Sequence, residues 1–254
     1  MRDLPPPLPP ERRTVGQLVA EAIRSYGQSF WRCLPLGIPL GVADQLSVHH
    51  TGVVQALIYW ATTPLFVAAY VWACALVLGA RPNRTAVLLA ILIWIPFPAL
   101  RAFFILPGLA WFALLGLAVP AAMVERTPFR ESLVRGRRLG LTDYLHALAS
   151  LAALVVVVGL AANVLSALLH SQGDAGQRVA VFLSELVLSP LLYLGGALLY
   201  VDQSARDRAA AARRGRATSV SPSAGDPLVS RGDAGVHPPV DVEPARRPDT
   251  QVES

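Results

Sequence analysis

The chain contains a run of thirty residues, 144–173, without a single Asp, Glu, Lys or Arg. About 20 apolar residues cross the hydrocarbon core of a bilayer, so this run is long enough to be a transmembrane helix. Composition points the same way, because hydrophobic residues make up 54% of the 254 positions and charged residues only 15%. This balance is typical of a polytopic membrane protein and argues against a soluble domain.

Six apolar segments predict an all-α, polytopic bundle of six transmembrane helices. They lie at about 32–48, at 53–78, in two crossings within 85–124, at 144–170 and at 179–202. Residues 106–108, Leu-Pro-Gly, are expected to form the hairpin tip between the two crossings. The segment 32–48 is the weakest, because prolines and Asp44 interrupt it, and a central Asp costs about 2.5 to 3.5 kcal/mol on insertion. Whether this segment spans completely stays open.

Two amphipathic helices complete the predicted fold. Apolar residues recur at steps of three and four from Val15 to Phe30, which predicts an interfacial helix over 14–31. The basic segment 125–143 predicts a second amphipathic helix, on the cytoplasmic side between transmembrane helices 4 and 5. Thr127 is expected to cap it, with an i,i+4 pair formed by Glu131 and Arg135.

The two ends of the chain are polar. Residues 1–13 are rich in Pro and Arg and predict a disordered N-terminus, ahead of a transmembrane domain over 32–203. Residues 204–254 predict a disordered cytoplasmic tail. A helical extension as far as Arg216 is the alternative for the first part of this tail.

The arginines fix the expected orientation. With six spans, sixteen Arg fall in the segments on one side of the membrane and Arg178 alone on the other. Cytoplasmic loops carry the excess of basic residues. We therefore expect a multi-pass protein of the cytoplasmic membrane with both termini in the cytoplasm. This topology also explains the net charge of +5 without a nucleic-acid partner.

Three ionisable residues lie inside the predicted spans, namely Asp44, Arg101 and Glu185. The topology puts all three at a similar depth towards the outer face, and intramembrane charges usually face the bundle interior and pair. We expect an ionic cluster in which Arg101 lies between the two carboxylates. Two interpretations stay open: an ion pair that holds helices together, which is favoured, or a proton or ion site that opens outwards.

The basic helix carries the other candidate site. Its arginines are expected to contact anionic lipid head groups at about 1 kcal/mol each, and a simple topology anchor is the equal alternative. These residues are Arg126, Arg130, Arg135, Arg137 and Arg138.

Close packing is predicted at two places in the spans. Gly37 and Gly41 have the GxxxG spacing that lets helices approach each other, and with a proline inside it this motif is expected to line an internal contact. Pro190 and the pair Gly195-Gly196 predict a bend or a close approach in the last span.

Motifs that carry catalysis are missing from the sequence. It contains no HExxH, GxSxG, GxxxxGK[ST] or GxGxxG. Histidines in the predicted outer loops, His49, His50 and His170, have no metal-site spacing together with Asp174. We therefore expect no cofactor, no metal and no enzymatic activity.

Two longer segments resemble a known family. They read Val119-Pro-Ala-Ala-Met-Val-Glu-Arg126, followed by Phe129-Arg-Glu-Ser-Leu-Val-Arg-Gly-Arg-Arg-Leu139, and Leu198-Leu-Tyr-Val-Asp-Gln-Ser-Ala-Arg-Asp207. They resemble stretches of the membrane domain that is attached to some glycerophosphodiester phosphodiesterases and that also occurs alone in prokaryotes. The resemblance covers about 14–208 and implies a six-helix bundle of uncharacterised activity. The phosphodiesterase is a separate barrel of about 250 residues, and too little chain follows to form it.

Three functions follow as hypotheses. The first is a non-catalytic scaffold or accessory protein that organises lipid or other membrane proteins. The second is a small transporter or channel that uses the outer charged cluster. The third and weakest is a lipid-modifying enzyme.

Overall fold

The computed structural model describes residues 9–103, 105–169 and 173–219. These residues are helical throughout and contain no strand. The helices are α1 (Val15–Gln28), α2 (Phe30–Cys33), α3 (Ile38–Ser47), α4 (Val53–Ala61), α5 (Thr63–Leu78), α6 (Arg84–Trp94), α7 (Phe97–Phe103), α8 (Ile105–Leu115), α9 (Ala118–Glu125), α10 (Phe129–Thr142), α11 (Tyr144–Leu169), α12 (Gly173–Leu188) and α13 (Pro190–Ser219), with 3₁₀ turns at Pro10–Arg12 and Leu34–Gly37. Residues Met1–Arg214 form one compact unit, and the described part of the second unit is the end of α13.

Three described helical segments are long and apolar enough to cross a membrane: Leu106–Glu125, Tyr144–Leu165 and Arg178–Arg214. The helices α4 and α5 would make a fourth span if they cross together, and they meet at a bend of 47°. The all-helical, membrane-compatible fold is therefore confirmed at this level. These helix lengths do not decide whether the chain has six spans.

The sequence explains both the start and the buried face of helix α1. Thr14 and Gln17 form a reciprocal capping box, in which each side chain accepts a hydrogen bond from the other residue's backbone. Leu18, Ala22 and Tyr26 are buried on one face of the helix, and α1 packs against α11. The predicted helix is present, and its apolar face is covered by protein.

Several boundaries differ from the sequence-based expectations. The expected hairpin tip at 106–108 is helical, because Pro107 lies in the first turn of α8, where a missing N–H is tolerated. Residues 173–178, which separate the predicted spans 144–170 and 179–202, belong to α12, which begins at Gly173. The first part of the expected tail is the second half of α13, which runs to Ser219, so the helical alternative for this part is confirmed. Residues 1–8 and 220–254 lie outside the described part.

Glycine pairs mark the tightest helix contacts. A Cβ on Gly37 would lie 2.2 Å from the carbonyl oxygen of Leu186, and one on Gly41 would lie 3.0 Å from the ring of Phe182. The GxxxG motif of α3 therefore lines an internal contact with α12, as predicted.

A second GxxxG pair, Gly136 and Gly140, escaped the sequence analysis. Added Cβ atoms there would lie 2.4 Å from the backbone of Ala118 and 2.7 Å from that of Ala113. Helix α10 therefore packs flat against α8 and α9 through its small residues.

Candidate functional site

A network of ion pairs joins five segments of the chain. We refer to it as the arginine network. It comprises Arg13, Glu125, Arg135, Arg138, Asp143, Asp202, Arg206 and Asp207. Its acidic members on α13 follow directly after the apolar part of that helix, which ends at Val201.

The first half of the network ties the N-terminal segment to α13. Arg13 Nη1 donates to Asp202 Oδ1 at 3.2 Å, and the Asp202 side chain is completely buried. Arg206 donates to Asp143 Oδ2 and to the carbonyl oxygen of Arg13. It also donates to His146 Nε2, which accepts at 3.0 Å. One guanidinium therefore joins the segment before α1, the start of α11 and the polar half of α13.

The second half joins α10 to the ends of α9 and α13. Arg135 donates to Glu125 at 3.0 Å and to Asp207 at 2.7 Å, and Arg138 donates to Asp207 at 3.3 Å. Burial acts to raise the pKa of Asp207, but the bonds and charges of the two arginines outweigh burial and lower this pKa. Burial likewise acts to lower the pKa of Arg135, and its bonds to both carboxylates outweigh burial and raise it.

Two arginines of α10 that were predicted to contact lipid have partners within the protein. Arg135 and Arg138 were expected to face lipid phosphate, yet they bind carboxylates of the protein. Arg126, Arg130 and Arg137 are exposed, as that hypothesis requires.

The local structure of α10 also differs from expectation. Arg135 pairs with Glu125 and Asp207, and no Arg135–Glu131 pair occurs among the described contacts. The residue that precedes α10 is Pro128, and Thr127 Oγ1 lies 2.7 Å from Ser132 Oγ instead of capping the first turn.

The network also unites the two segments that carry the family resemblance. Arg135 and Asp207 belong to different segments, as do Glu125 and Tyr200, whose hydroxyl donates to Glu125 at 3.4 Å. Arg135 was predicted to pair with Glu131 and to contact lipid, and no role was predicted for Glu125, Tyr200 or Asp207. Ion pairs between residues that are 72 positions apart leave no signal in local periodicity.

A cavity of about 330 Å³ lies between α3, α5, α6, α7, α8, α11, α12 and α13. We refer to it as the acidic cavity, because Asp44 and Glu185 both line it. Five aromatic residues share the wall: Phe66, Trp94, Phe97, Phe112 and Tyr193. Most of the remaining wall is aliphatic.

Two members of the predicted ionic cluster line this cavity, and the cluster itself stays a prediction. Asp44 of α3 and Glu185 of α12 line the same space, as expected, and Tyr59 donates a hydrogen bond to Asp44. The side chain of Arg101 lies outside the described part of the structure. The sequence analysis missed the aromatic wall, because its members come from five different helices.

The opposite end of the bundle from the arginine network is less polar. Arg178 Nη2 donates to His49 Nε2 at 2.7 Å, and Gln45 donates to the carbonyl oxygen of Arg178 at 2.9 Å. Within the described residues, no group of three or more His, Cys, Asp or Glu side chains is arranged to hold a metal ion. His170 lies outside those residues.

Comparison of the chain with family models, curated proteins and solved structures finds no match. The resemblance to the phosphodiesterase-associated membrane domain therefore stays a hypothesis that rests on its short motifs.

Proposed function

We propose that the chain is an integral protein of the cytoplasmic membrane with six spans and both termini in the cytoplasm. Two contacts support this proposal. Asn83, in the short basic loop after α5, donates to the carbonyl oxygen of Ala122 near the end of α9, at 2.8 Å. Arg13 meets Asp202. Segments that the arginine distribution assigns to one side of a membrane therefore contact one another.

Reporter fusions test this topology. Fusions after Arg138 and Arg216 are expected to read cytoplasmic, and a fusion after Gln172 is expected to read extracytoplasmic. A cytoplasmic signal at Gln172 would overturn the six-span arrangement, because the two last spans could then not form a hairpin.

We further propose a non-catalytic accessory or scaffold function that involves anionic lipid. The observation that carries this proposal is that the arginines of α10 and of the turn before it fall into two sets, those with ion pairs to the bundle and those without. Arg135 and Arg138 bind carboxylates of the bundle, and this fixes the helix, although the Arg138 side chain is itself 59% exposed. Arg126, Arg130 and Arg137 are exposed and have no ion pair among the described residues. A fixed basic surface at the edge of a bilayer attracts anionic head groups and offers a docking face for other membrane proteins.

Lipid retention tests this function. The full chain, purified in mild detergent from membranes that contain phosphatidylglycerol, is analysed by native mass spectrometry. The triple variant Arg126→Gln, Arg130→Gln, Arg137→Gln is expected to retain several-fold less anionic lipid than the wild type. The control variant Arg24→Gln, at an exposed site on α1, is expected to retain the wild-type amount. Equal loss in both variants, or no preference for anionic lipid, would contradict the proposal.

The acidic cavity favours one second candidate, a small transporter or channel. Two carboxylates at membrane depth are costly and usually mark a pathway or an ion pair. Flux of a cation into proteoliposomes that hold the full chain tests this candidate. Flux that is unaffected by Glu185→Gln would argue against a pathway through the cavity.

A further inference from the structure

We propose that the acidic cavity is a binding site for a small lipophilic organic ammonium ion that also carries an oxygen acceptor. This inference deepens the second candidate function, because it names the class of ligand for the same cavity. It rests on three features of the wall: aromatic rings, carboxylates and one buried donor.

The aromatic rings gather around Trp94. The centroid of its ring system lies 4.9 Å from that of Phe97, 5.3 Å from Phe66, 5.8 Å from Phe112 and 6.2 Å from Tyr193. All five rings line the cavity. Aromatic faces attract organic cations, and Trp does so most strongly. A volume of about 330 Å³ is within the range of small-molecule sites, which starts at about 300 Å³.

The carboxylates set the sign of the charge. Asp44 and Glu185 approach the cavity from α3 and α12, and these helices are held together by the close contacts of Gly37 and Gly41. Even with Arg101 counted as the third member of the predicted cluster, the formal charge of the group is −1. A cavity of this charge favours a cation over a neutral or anionic guest.

The third feature is an unsatisfied donor. Trp94 is only 8% exposed, and its indole N–H has no hydrogen-bond partner among the described residues. A buried donor without a partner costs about 1 to 3 kcal/mol, and Trp N–H groups usually find a partner when buried. This nitrogen has less than 1 Å² of accessible surface, so an ether or hydroxyl oxygen on the guest would supply the missing acceptor once the indole ring shifts towards the guest. This feature separates the proposed ligand from a simple hydrophobic cation.

A matched pair of probes tests both parts of the ligand. N-benzyl-N-methylmorpholinium carries the aromatic group, the quaternary nitrogen and an ether oxygen, and N-benzyl-N-methylpiperidinium lacks only the oxygen. Benzenesulfonate supplies an aromatic anion. Binding to the purified full chain in detergent is measured by isothermal titration calorimetry. We expect the morpholinium ion to bind about fivefold more tightly than the piperidinium ion, which is the net effect of about one hydrogen bond, and we expect no binding of benzenesulfonate.

Three variants locate the site. Trp94→Phe is expected to abolish the difference between the two cations, and Glu185→Gln to weaken both by tenfold or more. Gly159→Leu places a side chain at the wall of the cavity, where an added Cβ would meet nothing within 4 Å. It is expected to block binding without harming the fold. Ala149→Leu, at an exposed position of the same helix, is the control and should bind as the wild type does.

The outcomes separate the ligand from the transport hypothesis. Equal binding of cation and anion, or binding that survives Gly159→Leu, would overturn the site. Binding of the morpholinium ion with no flux of the same ion in proteoliposomes would support the site and reject the transporter.

Discussion

The ion pair between Arg13 and Asp202 offers a direct test of what holds the bundle together. Asp202 is completely buried, and Arg13 Nη1 donates to its Oδ1 atom at 3.2 Å. The second oxygen, Oδ2, has no hydrogen-bond partner within the described residues. Arg13→Met keeps the aliphatic stem and removes the guanidinium, and the buried carboxylate then loses its donor.

The expected magnitude follows from the burial. Breaking a buried ion pair by removing one partner costs about 3 to 5 kcal/mol. We expect the lower end, about 3 kcal/mol or a hundredfold in the unfolding constant, because Arg206 lies in the same network. The double variant Arg13→Met, Asp202→Leu removes the whole pair and is expected within about 1 kcal/mol of the wild type, since apolar replacements of buried pairs are often neutral.

The assay is reversible unfolding of the full chain in detergent micelles by sodium dodecyl sulfate, followed by far-UV circular dichroism. Arg24→Met is the matched control, because Arg24 is 57% exposed and 3.8 Å from Glu21, and surface pairs contribute about 0 to 1 kcal/mol. If Arg13→Met is no worse than Arg24→Met, the buried pair does not stabilise the bundle. If the double variant is as unstable as Arg13→Met, the loss does not come from the orphaned carboxylate.

Three further predictions address other parts of the chain. Gly136→Ala is expected to lower the unfolding free energy by about 2 kcal/mol, because the Cβ would lie 2.4 Å from the backbone of Ala118. An added Cβ on Gly159 would meet no atom within 4 Å, so Gly159→Ala should raise the unfolding free energy by about 0.5 to 1 kcal/mol. Equal effects of the two alanine substitutions would refute the packing argument. The pKa of Asp207 is lowered in the folded protein. The contribution of this carboxylate to the free energy of unfolding is therefore present at neutral pH and is lost as the pH falls below the ordinary pKa of 3.8. Melting temperatures at pH 7 and pH 3 should therefore differ less in Asp207→Asn than in the wild type, and an unchanged difference would contradict this. Truncation after Ser219 should leave membrane yield and melting temperature unchanged, because Pro, Ser, Asp and Arg make up 17 of the 35 remaining residues and no apolar period occurs among them. A drop in either would show that 220–254 contacts the rest of the protein.

Local patterns gave reliable information where a helix is determined by its own residues. The uncharged run from Tyr144 became α11, and the spacing of Leu18, Ala22 and Tyr26 became the buried face of α1. The GxxxG motif of Gly37 and Gly41 was correctly assigned to an internal contact, because a proline within it disfavours a free dimer face. Each of these features depends on residues that lie close together along the chain.

The ion-pair partners of individual residues could not be predicted from local spacing. Glu131 was the obvious partner of Arg135 by helical spacing, but Asp207 and Glu125 occupy that guanidinium. The wall of the acidic cavity comes from residues that share no period and meet only when eight helices pack. The prediction of a hairpin tip at Pro107 is wrong, because composition does not distinguish the first turn of a helix from a hairpin tip.

The pairing of Arg13 with Asp202 also has a consequence for biosynthesis. The two residues are 189 positions apart, and at about 5 to 20 residues per second the ribosome needs roughly 10 to 40 s to make the chain between them. During that interval α1 can pack against α11, but the segment before α1 lacks its ion-pair partner. Helix α13 therefore completes the attachment of this segment, and a nascent chain arrested before Asp202 is expected to leave Arg13 open to proteases.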